Sequence, residues 1–151
     1  MYNHEPDGYA CPFCASLNDK PERIIARRDG AAALLGLHRW GHGPVDVLVI
    51  PVEHIENLYD LPARLAPAIQ SMTRAAALAL KAVYNCEGVS TRQHNEPAGN
   101  QDAWHYHVHV FPRYAGDGLY KSEKMPIPMP VIMEETDRLR EYFNAYWEAL
   151  F

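Results

Sequence analysis

His105, His107 and His109 alternate with Trp104, Tyr106, Val108 and Val110 in a short run that ends at Phe111. A period of two is the signature of a β-strand, in which alternate side chains share a face. The run therefore predicts a strand over Trp104–Phe111 with three imidazoles on one face. Trp104, Tyr106, Val108 and Val110 are expected to point into a core on the other. Successive imidazoles would stand about 6.6 Å apart at their Cα atoms, from two residues of ~3.3 Å rise. That spacing suits a division of labour along the row better than three rings converging on one small target. Residue chemistry alone leaves three readings: a polar face that happens to use histidine, a zinc site built on His-x-His, or nucleophilic and acid–base chemistry on phosphate.

The rest of the chain narrows the classes. At 151 residues, with 48% apolar and 22% charged residues, it matches one globular domain and has enough apolar material to build a core. Lys and Arg number 14 against 19 Asp and Glu, a net charge of −5, which argues against non-specific binding to a nucleic-acid duplex or an anionic membrane. No apolar run approaches the ~18 residues of a membrane span. The start, MYNHEPDGYA, lacks a signal-peptide profile, and a cytoplasmic location is expected. Three cysteines, an odd number, disfavour a disulfide framework. Cys11 and Cys14 form Cys-Pro-Phe-Cys, which in a reducing compartment points to metal or redox chemistry.

Residues 1–22 are polar and read as an irregular knuckle around this CxxC. Two strands are expected between Ile24 and Leu37, turning at Arg27–Gly30, then a loop over Trp40–Pro44 and a strand over Val45–Ile50. Pro67–Tyr84 carries Ile69, Met72, Ala76, Leu80 and Val83 at helical spacing, with Pro67 suited to the first turn. Val89–Asn95 reads as a strand, Pro97–Asn100 as a turn and Met125–Pro130 as extended. A C-terminal helix, Glu134–Leu150 within the segment 131–151, places Leu139, Tyr142, Phe143, Tyr146, Trp147 and Leu150 on one stripe. Strands with segregated helices predict a single α+β domain spanning 1–151, with an antiparallel sheet, one long central helix and a C-terminal helix.

His-Tyr-His-Val-His-Val-Phe at 105–111 resembles the signature of the histidine triad (HIT) family of nucleotide hydrolases and transferases. Cys-Pro-Phe-Cys at 11–14, Val-Leu-Val-Ile-Pro-Val-Glu-His at 47–54, Asn-Glu-Pro-Ala-Gly-Asn-Gln at 95–101 and Pro112-Arg113 extend the likeness over about residues 10–120. The resemblance implies a HIT-like fold and cleavage of a nucleoside 5′-phosphate derivative at the α-phosphorus. The substrate would be a phosphoramidate, an adenylylate or a dinucleoside polyphosphate. It implies His107 as the nucleophile that forms a covalent nucleotidyl-histidine, and His109 as the residue that meets phosphate or the leaving group and supplies a proton. Asn95, Gly99, Gln101 and Asp102 fall at positions near the phosphate, with backbone N–H groups at 99–101 as further donors. In the zinc-containing branch, Cys11, Cys14, His54 and His105 would hold one structural zinc per chain. A purine nucleotide or nucleoside phosphate derivative as partner and a homodimer are likewise implied.

The sequence departs from that pattern at three places. Where many members carry a ribose-holding Asp, the stretch Ala31–His38 has no acidic residue. Asp102 stands where a small hydroxyl residue is common, and a carboxylate there would be tolerated if it oriented His107 or a backbone amide. His42-Gly-Pro-Val-Asp46 replaces the usual Gly-His. His38, Trp40 and His42 could wall a base, and His94, Arg92 and Arg113 could meet phosphate, though structural or surface roles serve each as well. A zinc-stabilised binding module without turnover, and a metallohydrolase with zinc on all three triad histidines, are the competing functions.

Overall fold

The alternation of two apolar faces along short β-branched and alanine-rich runs organises the sheet. The computed structural model describes residues 2–41 and 43–151, the side chain of Tyr120 excepted; the expectation for His42 lies outside these. The strands are β1 (Ile24–Arg28), β2 (Ala31–Leu35), β3 (His38–Trp40), β4 (Val47–Pro51), β5 (Gly88–Gln93), β6 (Val108–Arg113) and β7 (Lys124–Pro126). Five of them form an antiparallel sheet in the order β1-β2-β4-β6-β5, and β3 pairs with β7 in a separate two-stranded ribbon. Among the described residues, four α-helices complete the fold: α1 (Pro12–Asn18), α2 (Ala66–Tyr84), α3 (Met129–Ala145) and α4 (Trp147–Leu150). The class is α+β, and among the described residues no helix is long and apolar enough to cross a membrane.

The two faces bury different partners. Ala31, Ala33 and Leu35 of β2, Val47 and Val49 of β4 and Val108 and Val110 of β6 join Ile69, Met72, Ala76 and Leu80 of α2 and Leu139 and Phe143 of α3 in the larger core. Ala75, Ala76 and Ala79 are fully buried, and small side chains on both helix and strand let α2 lie close to the sheet. Ala32, Leu34, Leu48 and Ile50 face the other way and pack with Phe13 and Leu17 of α1. His109 and Phe111 belong to this second face by the period of two. In register, His109 stands between Leu48 of β4 and Arg92 of β5. His109 thus emerges from the sheet face on which α1 packs.

Several sequence expectations are corrected here. Residues 1–22 are not irregular throughout: α1 runs from Pro12, and Cys11 caps it, its Sγ accepting from the Cys14 N–H at 3.4 Å. Trp40 ends a strand rather than opening a loop. Of the Met125–Pro130 segment, Met125 and Pro126 are strand, but Met129 already begins α3; Pro130 suits the first turn, where no N–H is required. That helix stops at Ala145, and Tyr146, at φ −119° and ψ 19°, separates it from α4. Tyr146 is therefore 53% exposed and leaves the stripe, while Leu139, Phe143 and Leu150 stay buried.

The triad run is strand only from Val108 onward. The β4–β6 ladder pairs Val47 with Val110, Leu48 with His109 and Val49 with Val108. Below that point the backbone turns to other acceptors, the N–H of Tyr106 to the Ile55 carbonyl and that of His105 to Ala103. Tyr106 still reaches the larger core, but Trp104 does not; it is half-buried, its ring 6.0 Å from that of His4.

Candidate functional site

Because β6 begins inside the triad, the three imidazoles divide between two neighbouring sites. His105 is fully buried. Its Nε2 donates to the Pro51 carbonyl at 3.0 Å, so its Nδ1 carries the lone pair. That Nδ1 lies 3.3 Å from Cys11 Sγ and 3.7 Å from Cys14 Sγ. On the far side, His54 Nε2 donates to Glu5 Oε2 at 2.6 Å, which leaves His54 Nδ1 facing Cys14 Sγ at 3.3 Å. The four ligand atoms all lie within 4.8 Å of one another. Two sulfurs and two imidazole nitrogens, each ring fixed by an acceptor on its other nitrogen, are the donor set of a closed tetrahedral metal site. Burial and the adjacent Cys11 push the Cys14 thiol up to about 11, while burial holds His105 down to about 4. These residues could therefore hold a metal ion, the thiols giving up their protons to it.

His107 is 2% exposed. Its Nδ1 donates to the His105 carbonyl at 2.8 Å, leaving Nε2 unprotonated in the neutral ring. Burial, with the nearby His109, lowers its pKa to about 4, so the ring is neutral near pH 7 and nucleophilic. Phe13 packs edge-on against His107, centroids 5.2 Å apart, and against His105 at 5.6 Å. The helix that Cys11 caps and that carries Cys14 therefore also braces the two rings it faces.

A cavity of about 490 Å³ opens over His107 and His109. Phe13, Leu48 and Trp40 give it apolar wall, Arg23, Arg92 and Lys124 bring positive charge, and Asp46 and Asp102 bring negative charge. The rings of His107 and His109 meet edge to face at 4.9 Å. His109 Nδ1 donates to Asp46 Oδ2 at 2.6 Å. The Arg92 guanidinium lies over the rings of Trp40 and Phe111, at 5.5 and 5.1 Å. At the rim, Lys124 of β7 donates to Asp102 at 3.0 Å. Burial works against the Asp102 carboxylate, but the Lys124 ammonium outweighs it and holds the carboxyl below its ordinary value.

The other residues singled out from the sequence fall in several places. Asp102 and His109 line the cavity, as do His38, Trp40, Arg92 and His94; Asp102 holds Lys124, not His107. Asn95 and Gln101 do not line it, and their amides are engaged elsewhere. Asn95 accepts from the Leu58 N–H at 2.8 Å and binds Gln93. Gln101 is buried, accepts from the Glu96 N–H, and donates to the carbonyls of Glu56 and Ala103. The N–H groups of Gly99, Asn100 and Gln101 donate within their own turn, to Glu96, Pro97 and Glu96. Arg113 is tied to Asp117 and Ser90. Asn100, next to these, does line the cavity.

The HIT domain family model matches residues 18–116. The chain belongs to the HIT family. "Protein hit" of Bacillus subtilis (strain 168) is 32% identical over 111 residues, 72% of this chain and 75% of that protein. The AP-4-A phosphorylase of Mycobacterium tuberculosis (strain H37Rv) is 29% identical over 105 residues, 69% of this chain but 53% of that one, so the chain spans about half of that relative. Among solved structures, a Zn-bound histidine triad family protein from Mycobacterium smegmatis superposes with a TM-score of 0.76 at 25% identity, covering 93% of this chain and 97% of that one. The family therefore includes nucleotide-related homologues.

Within this HIT chain, Asp46 partners His109, Arg23 stands in the cavity wall and Lys124 at its rim, three roles that no motif in the sequence marks. In sequence Asp46 stands out only as a departure from the family pattern, and the 63 positions that separate it from His109 hide the contact. Arg23 reads in sequence as one surface cation among many. In the structure it is buried, donating to the Leu35 carbonyl and to Ser16 Oγ. Burial lowers its guanidinium to about 10, which leaves it charged at neutral pH.

Proposed function

We propose that the protein is a nucleotidyl hydrolase or transferase that cleaves a nucleoside 5′-phosphate derivative at the α-phosphorus through His107. The observation that carries this reading is the state of His107: buried, neutral, its Nδ1–H committed to the His105 carbonyl and its other nitrogen left for a ligand in the cavity. Nε2 attacks the phosphorus while the bond to the leaving group breaks and its electron pair departs with that group. His109 transfers a proton to the departing atom. Water then attacks the nucleotidyl-histidine, the phosphorus–nitrogen pair returns to His107, and the proton released by water restores His109. Arg23, Arg92 and Lys124 supply the positive charge that an anionic substrate meets inside a chain of net charge −5.

We further propose that the Cys11, Cys14, His54 and His105 group holds zinc, the metal suited to two thiolates and two imidazoles. With no open position it supplies structural, not Lewis-acid, chemistry. Held in this way, Cys11, Cys14, His54 and His105 would tie α1 and the loop after β4 to the backbone that presents His107.

The test is turnover of adenosine 5′-phosphoramidate, followed by release of AMP, in wild type and His107→Ala. Wild type is expected to release AMP, and the variant to lose at least about a thousandfold in rate, as when a covalent nucleophile is removed. Absence of turnover by wild type on a panel of phosphoramidates, adenylylates and dinucleoside polyphosphates would leave a zinc-stabilised binding module as the reading.

A further inference from the structure

Building on the reaction proposed above, we infer that Asp46 is the positioning residue that orients His109 for proton transfer to the leaving group, and that Gly36 makes room for it. The carboxylate is 95% buried, since Asp46 is 5% exposed, yet it lines the cavity. Its Oδ2 takes the Nδ1–H of His109 at 2.6 Å, a short charge-assisted contact. With Nδ1 committed, Nε2 is the one ring nitrogen of His109 left for a ligand. The ring is held on its faces as well, stacked on Phe111 at 5.3 Å and 8°. His107 and His109 thus use the same device, an acceptor on Nδ1 that selects Nε2 for chemistry. The acceptors differ: His107 has a neutral carbonyl, whereas His109 has a carboxylate, which fixes the ring's orientation and the nitrogen it presents to the cavity.

Gly36 is required by this arrangement. A Cβ at position 36 would stand 2.2 Å from Asp46 Oδ1 and 3.1 Å from its Cγ, inside any tolerable contact. The Gly36 N–H also donates to the Asp46 carbonyl at 2.9 Å, so the two backbones are locked together where the carboxylate sits. Position 36 lies in the acid-free stretch Ala31–His38, and the space a side chain would take there is filled by Asp46 instead.

The proton balance is simple. As the phosphorus–leaving-group bond breaks, His109 loses the Nε2 proton to the departing atom and becomes neutral, keeping Nδ1–H on Asp46. It regains a proton from the water that cleaves the nucleotidyl-histidine. A leaving group that departs as a stable anion needs no such proton, whereas an alkylamine does.

Two measurements test this, with Asp46→Asn as a near-isosteric variant and Gly36→Ala as a second that keeps the carboxylate but displaces it. The first is the ring 15N–1H spectrum of histidine-labelled protein, which reads the His109 Nδ1–H without requiring turnover. Wild type should show that proton strongly deshielded by the carboxylate, and in both variants the signal should move well upfield or broaden away, since an amide or a displaced carboxylate makes a weaker hydrogen bond. The second is kcat for adenosine 5′-phosphates bearing an alkylamine or a p-nitrophenolate leaving group. Asp46→Asn is expected to slow the first substrate at least about tenfold and the second less than about threefold, with KM unchanged. An unaltered Nδ1–H signal, or equal loss on both substrates, would overturn the role of Asp46 while leaving His107 as nucleophile. Absence of any turnover by wild type would overturn the reaction and this role together.

Discussion

Replacing Gln101 by alanine separates a residue that touches substrate from one that props the site. Gln101 is 5% exposed and makes three hydrogen bonds, accepting from Glu96 N–H at 2.8 Å and donating to the carbonyls of Glu56 at 2.7 Å and Ala103 at 3.1 Å. They tie the 96–103 loop to the segment after β4, which also receives the Tyr106 N–H. At roughly 0.5–1.5 kcal/mol for each bond, with partners left unsatisfied, the loss is about 3 kcal/mol. For a chain of this length that corresponds to a fall in Tm of about 6–12 °C. Calorimetry and urea denaturation give the stability, and kcat/KM measured well below the transition gives the activity. The strut reading requires a large stability loss with kcat/KM lowered less than about tenfold. A Tm unchanged within about 2 °C together with a hundredfold loss in kcat/KM would refute it and return Gln101 to the phosphate.

Metal content provides a second check: wild type should carry about one zinc per chain, and Cys14→Ser should lose both the zinc and part of its thermal stability, by elemental analysis and calorimetry. Zinc that survived this change and vanished with His109→Ala would place the metal on the triad instead. At the end of α2, Asn85 adopts φ 48° and ψ 39°, a left-handed conformation that favours Gly and tolerates Asn. Asn85→Ala should therefore cost about 1 kcal/mol in urea denaturation while Asn85→Gly costs nothing; equal losses would refute the conformational argument.

What could be read from the sequence depended on the range of the interaction. Helix α2 was visible because Ile69, Met72, Ala76 and Leu80 repeat at the helical period and meet one continuous core. The strands β2 and β4 were visible because alternate residues serve two apolar faces, a local pattern with a global cause. The first half of the triad run has the same alternation but is not strand. What decides its conformation is the Ile55 carbonyl waiting for the Tyr106 N–H, and no local pattern encodes that acceptor. Helix α1 was hidden by brevity, since seven residues starting on proline carry too little periodicity. Cys11, Cys14, His54 and His105 do gather as the family resemblance implied, whereas Asn95 and Gln101 resemble the family in identity and take other partners here. Local motif and local contact are separate properties, and only the first is written along the chain.

The contact between Gly36 and Asp46 has a consequence for how such a chain can change. A side chain at 36 and a carboxylate at 46 exclude each other, because both claim one volume next to His109. Neither position can drift freely while the other stands. A chain that gains a side chain at position 36 must first vacate position 46, passing through a sequence in which His109 has lost its partner. The two sites are epistatic by geometry.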